Sequence, residues 1–185
     1  MKDRRRKHSV LLCVLLLCSQ WLQAQTNPQH DKRSCLHFAQ DFYNWYVAEV
    51  FKDFRASGGK APWRAALTYK GNPFSPELSQ ALTESDAEAK ADGDPVLDFD
   101  PILNSQDPAE HYIVRTVTRK NGHCWADIYG VWSRSVPNDE RRPQVVAEMI
   151  FRDTRWQFVN FHYPNTTNPD NENLLSILRY QYRPR

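Results

Sequence analysis

The stretch "TRKNGHCWADIYGVW", Thr118 to Trp132, decides the fold. Its Asn121-Gly122 pair is the strongest short-range hairpin signal, because both central positions of a type I′ turn need positive φ. A two-residue loop fixes the pairing. Lys120 opposes His123, Thr118 opposes Trp125, Thr116 opposes Asp127 and Val114 opposes Tyr129. Strand alternation then sorts the side chains. One face collects Tyr112, Val114, Thr116, Thr118, His123, Trp125, Asp127 and Tyr129. The other collects Ile113, Arg115, Val117, Arg119, Cys124, Ala126 and Ile128.

The stretch looks like a reaction centre, and this parity takes it apart. Cys124 shares no face with His123 or Asp127, which argues against a Cys/His nucleophile pair within the strand. His123 and Asp127 share a face but lie about 13 Å apart at ~3.3 Å per residue, too far for a hydrogen bond. Asp127 among Tyr112, Trp125 and Tyr129 keeps three readings. It is the polar point of a concave pocket, a buried anchor satisfied by neighbours, or an exposed residue on an outer face.

The hairpin sits in a larger pattern. Ser34 to Phe54 repeats apolar residues at three- and four-residue steps, which predicts an amphipathic helix closed by Gly58-Gly59. Lys60 to Pro73 reads as a connector with a short strand near Ala66–Tyr69. Ser75-Pro76-Glu77 starts a second helix, with a capping serine and a proline at the first helical position; Gly93 breaks it. Strands are predicted over Tyr112–Arg119, His123–Trp132, Gln144–Arg152 and Trp156–Tyr163, with a short closing helix in the tail. Helices first and an antiparallel meander afterwards predict an α+β domain. If Phe158 faces the core, Asn160 and His162 line the same interior.

The first 24 residues, "MKDRRRKHSVLLCVLLLCSQWLQA", have a basic start, an apolar run and small or polar residues near Ala24. That layout predicts a secretory signal peptide, with 25–33 a flexible leader and 34–185 a single domain. Five of the 24 basic and one of the 22 acidic residues fall in 1–24. The remainder carries 19 basic against 21 acidic residues, a net of −2, so no positive field attracts nucleic acid. No second apolar run predicts a membrane span after cleavage. Cys35 and Cys124 are left in an oxidising compartment and read as one disulfide or as two buried thiols. If the first helix packs on the Asp127 face, the bridge requires Cys35 to lie beyond the sheet edge. The histidines show no metal-ligand spacing, and no G-x-S-x-G or phosphate-binding glycine loop is present. No cofactor or metal is expected. Asn165-Thr166-Thr167 matches a glycosylation acceptor, relevant only in a eukaryotic secretory pathway.

"FYNWYVAEVF" (Phe42–Phe51), "LDFDPILNSQD" (Leu97–Asp107) and the closing "RWQFVNFHY" together resemble a bacterial family of exported domains of unknown function. That family has the nuclear-transport-factor-two-like cone fold, also called ketosteroid-isomerase-like or SnoaL-like. The resemblance covers about Cys35 to Tyr163. It implies N-terminal helices packed on a curved antiparallel sheet with a pocket between them. The expectation is therefore a periplasmic or secreted, non-enzymatic binding module for a small molecule, peptide or protein, with a homodimer through the sheet as a further option. Its candidate pocket is Tyr43, Tyr46, Tyr112, Trp125, Asp127, Tyr129 and Asn160. The alternatives are a pocket enzyme of isomerase, dehydratase or hydrolase type, with Asp127 or His162 as general base, and an immunity or inhibitor protein using the outer sheet face.

Overall fold

In the computed structural model the Asn121-Gly122 turn closes with φ of 54° and 80°, the left-handed pair that a type I′ turn needs. The structure describes residues 32–55, 62–92, 97–133, 142–164, 166 and 172–181. The predicted export segment, most of the leader, Gly58-Gly59, Gly93 and the Asn165 acceptor lie outside the described residues. The order is α1 (Lys32–Arg55), α2 (Trp63–Ala66), a 3-10 turn (Tyr69–Gly71), α3 (Pro76–Asp92), β1 (His111–Lys120), β2 (His123–Val131), β3 (Val145–Arg152), β4 (Arg155–His162) and α4 (Leu174–Gln181). The strands form one open antiparallel sheet in the order β1-β2-β3-β4. This is an α+β domain, and no described helix is long and apolar enough to cross a membrane. The strand expected near Ala66–Tyr69 is instead the end of α2 and the 3-10 turn.

Local chemistry explains the boundaries. Ser75 Oγ accepts from Leu78 N at 3.2 Å, the N-cap bond that starts α3. Asn173 Oδ1 accepts from Ser176 N at 3.0 Å and caps α4 in the same way. The β3–β4 hairpin turns on Asp153 and Thr154, both with positive φ.

α1 buries Cys35, Ala39, Phe42, Tyr43, Tyr46, Val47 and Val50 in one stripe against β1 and β2. The sheet meets them with Tyr112, Cys124, Ala126, Ile128, Val145, Ala147, Met149, Phe158 and Phe161. Small residues on β2 and β3 leave room for the helix aromatics. Phe42 sits 4.7 Å from Phe158 and 5.5 Å from Tyr46, ring centre to ring centre. α3 and α4 pack together at β4.

The helices therefore cover the Cys124 face. Cys35 and Cys124 are joined in a disulfide, with Cα atoms 6.7 Å apart. The bridge needs no position beyond the sheet edge, because α1 and Cys124 lie on the same side.

Candidate functional site on the outer face of the sheet

Two β-bulges determine which residues reach which face. From Thr116 onward the β1–β2 register runs as the turn dictates, with Thr116 opposite Asp127 and Lys120 opposite His123. Arg115 is an extra residue, so Val114 opposes Ile128 and Tyr112 opposes Gly130. Tyr112 therefore points into the core, 3% exposed, and not to the Asp127 face. Val159 is the second insertion: Phe158 opposes Met149, whereas Asn160 opposes Glu148 and His162 opposes Val146. Phe158 faces the core while His162 emerges on the outer side, which corrects the shared interior expected of them.

Tyr43, Tyr46 and Tyr112, expected to line the pocket, belong to the buried scaffold, and Tyr163 joins them. Tyr46 Oη donates to Asp100 Oδ2 at 2.7 Å, and Tyr43 Oη donates to the Ile102 carbonyl at 3.0 Å. Tyr163 Oη donates to the Pro101 carbonyl at 2.7 Å. Together they pin the Asp100–Leu103 turn under the sheet. Asp100 Oδ1 accepts from Ile102 N and Leu103 N at 2.9 and 3.0 Å. Burial pushes the Asp100 carboxyl up to about 6, against the lowering effect of the Tyr46 hydroxyl and these two amides. The residue is half-buried, and its carboxylate is held by these three hydrogen bonds. Tyr43, Tyr46, Tyr112 and Tyr163 are all held above the usual phenol range, chiefly by burial. Tyr112 stacks on Tyr43 at 6.0 Å and accepts from Ala109 N at 3.2 Å.

Asn160 is committed too. Its Oδ1 accepts from Leu175 N at 3.2 Å, and its Nδ2 donates to Asn173 Oδ1 at 2.9 Å. It fastens the first turn of α4 to β4 and lines no pocket with Tyr43 and Tyr46.

The outer face is where the remaining candidates meet. Trp125, Asp127 and Tyr129 project from β2, Glu148 from β3 and His162 from β4, all half-buried. Glu148 is the centre. Its Oε2 lies 2.9 Å from His162 Nε2, and its Oε1 lies 2.6 Å from His123 Nδ1. The His123 contact is an ion-pair distance without an aligned hydrogen bond. Trp125 leans over this cluster, 4.9 Å from the His162 ring and 6.5 Å from His123. Its Nε1 is buried without a hydrogen-bond partner. Asp127 is raised above its ordinary value by burial, and a hydrogen bond from Thr116 opposes that rise. The Arg115 guanidinium sits 4.6 Å from the Tyr129 ring centre, a cation–π contact that the bulge makes possible.

Sequence reading missed Glu148, the residue that organises the face. The available signal was the alternation of "VVAEMIF", which sets Glu148 on the side away from Ala147 and Met149; the register pairs it with Trp125 and Asn160. Chemically the cluster can accept and donate hydrogen bonds beside an indole. Among the described residues no group of three His, Cys, Asp or Glu is placed to hold a metal ion. No protein-family model matches the chain, and no curated protein or solved structure matches it significantly.

Proposed function

We propose that this chain is an exported, non-catalytic binding module that engages a protein or peptide partner through the outer face of its sheet. One observation carries the reading. The buried aromatics between α1 and the sheet are spent on packing and on pinning the Asp100–Leu103 turn, whereas Trp125 and Tyr129 stand half-exposed beside Asp127 and Glu148. Amphipathic aromatics rimmed by polar groups are what anchors of protein interfaces look like. The Cys35–Cys124 disulfide supports export to an oxidising compartment. Helices ahead of a four-stranded antiparallel meander support a relationship to the cone-fold family.

The Glu148–His162 contact favours a second reading, since a carboxylate can orient an imidazole for proton transfer. A cleft beside Phe38 and Tyr69 and another between α3 and α4 are lined by neither His162 nor Asp127. We read the dyad as part of the recognition face because Glu148 and His162 stand half-buried beside Trp125 and Tyr129.

A photo-crosslinking residue at Tyr129, in the full chain expressed in its own host, tests the proposal. A discrete protein adduct is expected, and Trp125→Ala should abolish it while the chain stays folded by circular dichroism. An adduct of twice the chain's mass would make the partner a second copy. Absence of any adduct, or an adduct indifferent to Trp125→Ala, would refute the proposal.

A further inference from the structure

A separate cleft of about 140 Å³ opens between α1, the 3-10 turn and the start of β4. Its walls are the rings of Phe38, Phe42, Tyr69 and Trp156, and its charged groups are Asp41, Lys70 and Arg155. The walls are held from behind. Trp45 stacks on Tyr69 with ring centres 3.8 Å apart, and Phe38 lies 4.9 Å from Phe158. Trp156 Nε1 donates to Ser34 Oγ at 3.1 Å, which fixes that indole. The cleft is therefore built before any ligand arrives, a condition that lowers the entropic cost of binding.

Its size and charge narrow the ligand class. An apolar cavity of about 150 Å³ holds one benzene ring. The volume here suits a single six-membered ring and no larger aromatic system. Two cations stand against one carboxylate, so the rim favours an anion over a cation. The Lys70 ammonium already lies 5.2 Å over the Tyr69 ring, which further disfavours a competing cation there. Arg155 Nη1 donates to the Gly71 carbonyl at 2.6 Å and ties the β4 end of the cleft to the turn.

The backbone spends conformational freedom to place Lys70. Lys70, Gly71 and Asn72 have φ of 43°, 78° and 67°, a left-handed run that only the glycine adopts without penalty. Asn72 holds the run in place: its Nδ2 donates to Ser79 Oγ at 2.8 Å, and its Oδ1 accepts from Phe74 N at 3.0 Å. We infer that this cleft is a binding site for a monocyclic aromatic carboxylate. The ring lies among Phe38, Tyr69 and Trp156, and the carboxylate faces Lys70 and Arg155.

Benzoate and benzylamine share a ring and differ in charge, so they test the inference directly. Saturation-transfer NMR titrations of the full chain should show benzoate binding at least about tenfold more tightly than benzylamine, the ratio of one charge-assisted contact. Lys70 is exposed, and Lys70→Ala should weaken benzoate about tenfold while the unfolding midpoint stays unchanged. Phe38→Trp should fill the cleft and remove binding of both probes; if that variant fails to fold, the Lys70→Ala arm decides alone. The inference is overturned if benzoate does not bind, if benzylamine binds equally well, or if Lys70→Ala leaves benzoate affinity unchanged. Because the cleft and the outer sheet face share no residue, failure here leaves the partner-binding proposal standing.

Discussion

Asp100, half-buried in its turn, is the residue with the clearest consequence in solution. Its raised pKa means that the folded state holds a proton that the unfolded chain, near the ordinary carboxylate value, has already released. The stability linked to this proton is full below about pH 4 and is lost as the pH rises through about 6. Asp100→Asn keeps an oxygen for the Ile102 and Leu103 amides and carries no titrating group. Relative to that variant, the wild type should lose about 2 kcal/mol between pH 4 and 7, a figure that allows for partial exposure. Urea unfolding of both proteins across that range measures the difference, and parallel stability curves would contradict the assignment. The tyrosines around this turn show what composition hides. Tyr43 and Tyr46 of "FYNWYV" read as candidate pocket residues because aromatics line pockets. In the fold each hydroxyl points at the turn, and hydrogen bonding of buried polar groups is a sufficient reason for their presence.

At the level of elements, the chain itself covers part of both edges of the sheet. Gln40 of α1 acts as a substitute strand for β1: its Nε2 donates to the Tyr112 carbonyl at 3.0 Å and its Oε1 accepts from Val114 N at 2.8 Å. On the other edge, Phe158 N donates to the Pro73 carbonyl and Ser75 N to the Phe158 carbonyl, both at 2.8 Å. Open edges invite pairing with other chains, and these bonds remove part of the invitation. Gln40→Leu should therefore cost about 1–2 kcal/mol in stability, because two backbone groups lose their partner. It should also raise concentration-dependent association, read by light scattering; an unchanged monomer mass at high concentration would argue against an edge-protecting role. The elements themselves were legible in the sequence, because period and capping residues carry that signal: Ser75-Pro76 starts α3 and Asn121-Gly122 turns β1 into β2. The faces were not fully legible, and the reason is local. Arg115 and Val159 each insert one residue without a glycine or proline to announce it, and each insertion exchanges the two sides of the strand beyond it. Tyr112 and His162 changed sides for that reason alone. Glu148 escaped notice because a single acid in an apolar strand gains meaning only from the histidines that the other two strands bring to it.

For the whole molecule, the Cys35–Cys124 bridge ties the first turn of α1 to the turn end of the inner strand β2, across 89 residues of sequence. Both cysteines are fully buried among the residues that join α1 to β2. Two mechanisms could make the bridge stabilising, and they predict different observables. If it acts by restricting the unfolded chain, a loop of this length contributes about 4–5 kcal/mol in the chain-entropy model. That is a large part of the roughly 5–15 kcal/mol typical of a domain. If it acts through native packing instead, the loss on removal should resemble that of any small buried group. The double variant Cys35→Ala, Cys124→Ala separates the two without leaving a lone thiol. Chain restriction predicts a fall of about 4 kcal/mol together with a steeper dependence on urea, because an unbridged unfolded chain expands and exposes more surface. Lost packing alone predicts a smaller fall with an unchanged slope. We expect the first outcome, since Ala39, Phe42, Tyr43, Tyr46 and Val50 already bury α1 against the sheet and leave the native contacts little dependent on the bridge. A fall below about 1 kcal/mol with the slope unmoved would show that packing of α1 holds the domain together and that the covalent tie is incidental to it.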